Sequence, residues 1–257
     1  LANGVGEARR IGMDTALSLL EPEDPEHAYI VCLDADSHVS EHYWQEIKAA
    51  FAAHPECGTL SLGVRHRTGK NDAEEHAIRK YEKFMDDYVA SLHEAGSPYA
   101  FHTIGSAMAI RASIYVACGG MRIRSGGEDF YFLQAAAKVA RVWPVERPSD
   151  RVPFGTGPAV RSLLAGESLE VYPEQGFAAL KELLHLVRQD GMKVPGESKK
   201  YLCPRTVQFL EERGFFRGWN NVLRNTPDNA RARELAFHRW FDALKTLQFI
   251  RFFRESK

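Results

Sequence analysis

The sequence has few cysteines: Cys32, Cys57, Cys118 and Cys203 are spread through 257 residues, with no Cys-x-x-Cys pair and no cysteine–histidine set at zinc spacing. A disulfide scaffold and a zinc ribbon are therefore set aside, and a reducing, cytoplasmic compartment is the expectation. No excess of one charge is present either. The net charge is −1, which gives no overall attraction to nucleic acid or to an anionic membrane, although a local basic patch stays open. No apolar run approaches the roughly 20 residues that span a bilayer. Repeats and low-complexity segments are lacking. No signal peptide stands at the start. The chain opens on Leu1-Ala-Asn-Gly-Val-Gly6 with no initiator methionine, and the expectation is of a fragment.

What is present is an ordinary globular composition, 44% apolar and 26% charged. The residues from Glu7 to Leu20 recur apolar at helical spacing, and two prolines follow them. Tyr29 to Leu33 is a continuous apolar run, read as a buried, central, parallel strand. Ser40 to Ala53 and Asp72 to Glu94 read as amphipathic helices, Thr59 to Val64 and Phe101 to Ile110 as strands. A short helix from Ala112 stops at Gly119-Gly120, and Phe130 to Ala140 forms another. Val142 to Val145 is a short strand, followed by a turn-rich loop from Pro148 to Pro158. From about Gly166 strands cease. Helices are expected over Phe177 to Gln189, from Arg205 toward Leu223, and over Ala230 to Arg254. This order predicts an α/β domain over residues 1–165 and a helical appendage over 166–257.

Two short motifs carry candidate chemistry. Asp34-Ala-Asp36 follows the apolar run directly. Two carboxylates at i and i+2 of a strand end project to one side and call for a cation between them, for which a hard divalent metal is suited. Open α/β sheets bind ligands at such strand ends. The bland alternative is a turn with a capping aspartate. Ser125-Gly-Gly-Glu-Asp129 directly precedes a helix. Its glycines allow close approach to a ligand, and a carboxylate there can accept a proton from a hydroxyl. The bland alternative is a helix cap.

Their order is more specific than either motif alone. Gly6-Glu-Ala-Arg9-Arg10-Ile-Gly12, Cys32-Leu-Asp-Ala-Asp36, Gly105-Ser-Ala-Met-Ala-Ile-Arg111, Gly119-Gly120 and Gly127-Glu-Asp129 follow one another as in the family 2 glycosyltransferases of the GT-A fold. The chain resembles that family over about Gly4 to Ala140. The resemblance implies a mixed, mostly parallel sheet between helices. It implies that Asp36 binds Mn²⁺ or Mg²⁺ directly, and that Asp34 contacts the nucleotide ribose or the metal through water. Arg9 or Arg10 would lie near the nucleotide diphosphate, and Gly105 and Ser106 along the donor sugar. Asp129 would be the base that deprotonates the acceptor hydroxyl, with Glu128 beside it. The reaction would be a single displacement at the anomeric carbon, with inversion.

The sequence departs from the family in two places. The nucleotide-binding strands that the family carries at its start would lie upstream of Leu1, so the base and the donor sugar are unassigned. A further metal ligand, often histidine, is expected after the Glu-Asp helix, and Trp143-Pro-Val-Glu-Arg-Pro148 contains none.

Other features remain. Ser149 to Gly157 offers Arg151, a hydroxyl and two glycines, suited equally to covering a diphosphate or to an ordinary turn. His102 reads as structural. The basic, aromatic segment Ala230 to Arg254 suits the inner face of a membrane, but a wide apolar stripe more often packs into a core or against a second subunit. A sugar nucleotidylyltransferase and a non-catalytic nucleotide-sugar-binding domain stay open as alternatives.

Overall fold

The computed structural model describes residues 4–20, 27–124, 126–151, 157–169 and 171–254, and no side chain is described over 146–151 or at 157 and 158. The chain divides into two compact units. The first holds Leu1–Asp86 and Phe101–Leu169; the second holds Asp87–Ala100 and Glu170–Lys257. The expected domain boundary was near 165. Sequence order did not suggest that Asp87–Ala100 would join the C-terminal helices.

The first unit is mixed α/β. In chain order it contains α1 (Gly4–Leu19), β1 (Tyr29–Cys32), β2 (Ser37–Val39), α2 (Tyr43–Ala53) and β3 (Cys57–His66). The start of α3 (Asp72–Glu94) follows, then β4 (Met108–Arg111), α4 (Ala112–Ala117), α5 (Glu128–Ala137), β5 (Arg141–Arg151) and α6 (Gly157–Leu164). The five strands lie in the order β1-β4-β3-β5-β2. Among the described residues only β3 and β5 run parallel; the other three pairings are antiparallel.

This corrects the expectation of a mostly parallel sheet. It also corrects the expectation of a central, parallel strand at Tyr29 to Leu33: β1 is an edge of the described sheet, antiparallel to β4. An apolar run reports burial, and says nothing about the direction of the neighbouring strand. The β5 strand is longer than expected and takes up the first residues of the predicted loop, with Ser149 and Asp150 paired to Val39 and His38. Residues 152–156 of that loop lie outside the described residues.

The sheet is covered on both faces. On one, Tyr43, Ile47 and Phe51 of α2 pack on Leu60, Leu62 and Ala109, with Val31, Trp143 and Val145 beside them. Strand alternation sends Ile30, Cys32, Thr59, Ser61, Met108 and Ile110 to the other face. There α1 meets β1, α4 meets β4, and α5 meets β3 and β5. Arg111, the arginine of the predicted Ile-Arg strand, is structural. Its guanidinium donates to the carbonyl of Cys57 at 2.8 Å and to that of Phe51 at 3.3 Å, and it lies over the rings of Tyr29 and Phe51. It thereby caps the last turn of α2.

At the end of β3, Glu82 of α3 accepts from the His66 backbone N–H at 2.7 Å and meets its ring Nδ1 at 2.8 Å. Arg79 pairs with the other Glu82 oxygen and donates to the His66 carbonyl at 3.0 Å. These contacts fasten α3 to the sheet.

The second unit is helical: α7 (Glu174–Asp190), α8 (Pro195–Ser198), α9 (Pro204–Glu212), α10 (Phe215–Arg224), α11 (Ala230–Trp240) and α12 (Ala243–Phe252). Phe209, Phe215, Trp219, Phe237, Phe241 and Phe249 fill its core. The expected helix from Ala230 to Arg254 is two helices. Asp242 starts the second by accepting from the Lys245 N–H at 3.1 Å, a local bond that competes with continued helix. The aromatic stripe of this segment is core: Phe237, Phe241 and Phe249 are fully buried. No described helix is long and apolar enough to cross a membrane.

Candidate functional site

Four separate segments meet where β1 ends. The first is α1. Gly6 is buried in it, and a Cβ at that position would stand 2.7 Å from the Arg124 carbonyl and 3.2 Å from Glu128 Cβ. The missing side chain lets α1 lie against the loop before α5. Gly6 precedes the expected helix start at Glu7; its packing role arises inside the helix. Arg9 follows one turn later on the same face.

The second segment is the turn after β1. Ser37 N–H donates to the Asp34 carbonyl at 3.0 Å, so Asp34-Ala-Asp36-Ser37 is a β-turn. The two aspartates therefore sit in a turn, and the strand-end argument for their shared direction does not apply. Both nevertheless line one cleft of ≈ 600 Å³ between α1 and β1, together with Arg9 and the apolar residues Val5, Met13 and Ile30.

Arg9 joins the segments. Its guanidinium donates to Asp34 Oδ1 at 2.8 Å and, from its other terminal nitrogen, to Glu128 Oε1 of α5. The Arg9 side chain is 14% exposed and that of Glu128 9%. Burial opposes the charge on Arg9, and the Asp34 carboxylate followed by Glu128 outweighs it, so the pKa of Arg9 is raised. Cys32 lies beneath this pair. Burial pushes its thiol up to about 12 despite the nearby guanidinium, so it is a neutral hydrophobe, as its place in an apolar run suggested.

The third and fourth segments are the start of α5 and the loop entering β4. Asp129 is half-buried. Its Oδ2 accepts from the Gly105 N–H at 3.0 Å and its Oδ1 from the Phe130 N–H at 2.8 Å. Gly105 also borders Arg9, and a Cβ on Gly105 would overlap the guanidinium. Ser106 is buried, and its hydroxyl has no hydrogen-bond partner in the described structure.

The structure thus links Arg9, Asp34 and Glu128 by ion pairs and Gly105 to Asp129 by a hydrogen bond, with Gly105 against Arg9; Asp36 lies in the cleft that Arg9 and Asp34 line, and Gly105, Glu128 and Asp129 are not among the residues lining it. It does not bring in Arg10, which is half-exposed and pairs with Asp14 at 3.4 Å on another face of α1. The backbone of Arg151 pairs with Ser37 and His66; its side chain lies outside the described residues. His102 is half-buried. Its Nε2 stands 3.2 Å from Asp86, and burial holds its pKa below the ordinary imidazole value against that carboxylate. Sequence reasoning missed the link itself, an arginine between two carboxylates 94 positions apart in the chain, counted from Asp34 to Glu128.

Among the described residues no group of three or more His, Cys, Asp or Glu is placed to hold a metal ion. Asp34 and Asp36 supply two hard oxygen donors. That number suits Mg²⁺ or Mn²⁺, which take one or two carboxylates and complete their shell with phosphate oxygens and water. Asp36 carries no hydrogen bond or ion pair among the described residues and is free to serve.

Compared with known proteins, the chain matches no protein-family model, no curated protein and no solved structure.

Proposed function

We propose that this chain is the catalytic core of a nucleotide-sugar-dependent glycosyltransferase that inverts the anomeric centre. One observation carries the reading. Five of the residues singled out by the family resemblance, Arg9, Asp34, Gly105, Glu128 and Asp129, meet at one end of the sheet, although the sheet is more antiparallel than expected. That meeting of distant segments supports the reading.

In this reading Asp36 and Asp34 would hold a divalent metal, which would supply charge stabilisation to the departing diphosphate. The remaining steps belong to the chain. The acceptor oxygen bonds to the anomeric carbon as the bond from that carbon to the diphosphate oxygen breaks. Asp129 takes the hydroxyl proton. Two backbone N–H groups orient its carboxylate and use one lone pair on each oxygen, which leaves the others for the proton. Glu128 is oriented by Arg9 at the edge of the same cluster and positions sugar hydroxyls.

The test is a thermal-shift screen of the protein against UDP-, GDP- and other nucleotide sugars with and without Mn²⁺, followed by a transfer assay on any donor that stabilises. A ligand that binds only the native state raises the melting temperature by mass action. Absence of any metal-dependent shift across the donor panel would rule the reading out.

A further inference from the structure

Arg9 is more than a phosphate-side arginine waiting for its ligand. Its guanidinium is already engaged at both ends, at Asp34 Oδ1 and at Glu128 Oε1. It fits against Gly105, where any side chain would overlap it. Neighbouring cations are occupied elsewhere: Arg10 pairs with Asp14, and Arg124 lies 3.6 Å over the Tyr131 ring. Arg9 therefore supplies the positive charge that these two carboxylates need in a half-dry setting.

Resting on the metal reading of Asp34 and Asp36, we propose that Arg9 is a resident counter-ion that competes with the metal for Asp34. A divalent cation on Asp34 and a guanidinium on the same carboxylate repel each other. The metal can then be held well only when Arg9 gives up Asp34 for another anion. A diphosphate is suited to that exchange. It presents oxygens to the planar fork of the guanidinium and brings its own negative charge. Glu128 keeps one end of Arg9 in place, so the swing is a rotation of one fork. The consequence is thermodynamic coupling. Metal alone binds weakly, diphosphate and metal bind each other's complexes tightly, and Asp34 stays masked until a diphosphate arrives. Without its side chain Gly105 gives the guanidinium the room to sit there.

The experiment measures Mn²⁺ binding by electron paramagnetic resonance on the full chain, alone and with inorganic pyrophosphate at fixed free Mn²⁺. For the wild type, pyrophosphate should tighten Mn²⁺ binding by about tenfold or more, the size of an ordinary coupling between sites. Arg9→Gln should bind Mn²⁺ alone about tenfold tighter than the wild type, and pyrophosphate should then tighten it by less than about threefold. Arg9→Lys keeps the charge and reaches only one carboxylate, so it should lie between the two. It also serves if Arg9→Gln does not fold, as judged by circular dichroism. Asp36→Ala should abolish binding in every background. If Asp36→Ala does so while Arg9→Gln and Arg9→Lys keep wild-type Mn²⁺ affinity and coupling, the counter-ion role is overturned and the metal site stands. If the wild type binds no Mn²⁺ even with pyrophosphate, both are overturned.

Discussion

The backbone N–H of Gly105 donates to Asp129 Oδ2 at 3.0 Å, across 24 positions of sequence. A glycine motif and an acidic motif that look independent in the chain are thus one device. The loop entering β4 holds the carboxylate that opens α5, while the same glycine leaves space for Arg9.

Asp129 is the second residue of α5, and Gly127 holds the N-cap position. A capping role would make Asp129→Asn nearly silent, because asparagine and aspartate cap about equally well. A base role predicts a fall in kcat of about 10²–10⁴-fold, with donor affinity little changed. Steady-state transfer kinetics beside donor titration decide between them, and wild-type turnover would remove Asp129 from the mechanism.

The Asp36 side chain makes no hydrogen bond or ion pair among the described residues. Asp36→Ala should therefore leave the stability of the protein within about 0.5 kcal/mol of wild type. The same variant should lose Mn²⁺-dependent binding of nucleotide or pyrophosphate. Denaturant unfolding and calorimetry on one preparation check both. Metal affinity retained in Asp36→Ala would mean the site lies elsewhere.

Gly105→Ala places a methyl group on a guanidinium pinned by two carboxylates. Overpacking of this kind costs about 1–3 kcal/mol. Arg9→Ser vacates the space, so the two changes should not add: Gly105→Ala should cost much less in the Arg9→Ser background. A double-mutant cycle read by urea denaturation measures the coupling, and additive effects would show that Arg9 yields freely.

Two of the three glycines of α1, Gly6 and Gly12, should behave oppositely. Gly6→Ala meets the Arg124 carbonyl and should destabilise by about 1–3 kcal/mol. Gly12→Ala meets nothing within 4 Å and should be neutral or stabilising by up to about 1 kcal/mol, as expected for alanine in a helix. Melting temperatures of the pair test the packing of α1; equal effects would contradict it.

The Glu82 clasp should appear in the acid limb of stability. Burial raises the pKa of Glu82, but hydrogen bonds from the His66 backbone and ring and from Arg79 prevail, and the net shift is downward. A carboxyl with a depressed folded-state pKa adds stability above its unfolded value, and that stability is lost as pH falls through the folded value. Glu82→Gln should cost about 1–3 kcal/mol at neutral pH by leaving buried donors poorly paired. It should also flatten the fall in stability below about pH 4.3. An unchanged acid limb in Glu82→Gln would show that this carboxylate does not drive it.

Much of the element plan was written in local pattern. The 3.6-residue period from Asp72 to about Glu94 yields α3, and proline and glycine punctuation ends several helices near their observed limits. The acidic turn after an apolar run and the Gly-Gly-Glu-Asp entry to a helix were also visible, since both depend on neighbours in sequence. Burial of Tyr29–Cys32 was legible in composition; its antiparallel partner was not, because pairing direction depends on how β4 returns from α3. The break between α11 and α12 rests on one aspartate cap that an unbroken apolar stripe conceals. The choice of Arg9 over Arg10 was beyond sequence as well. Adjacent residues of a helix differ by about 100° in direction, and only the packing of Gly6 against the start of α5 decides which arginine faces Asp34 and Glu128. Residue types and their local order were thus set by the chain itself. The joining of Arg9, Asp34, Gly105, Glu128 and Asp129 was decided by tertiary structure, because side chains from distant segments share an ion pair only after the sheet and helices have brought them within a few ångströms.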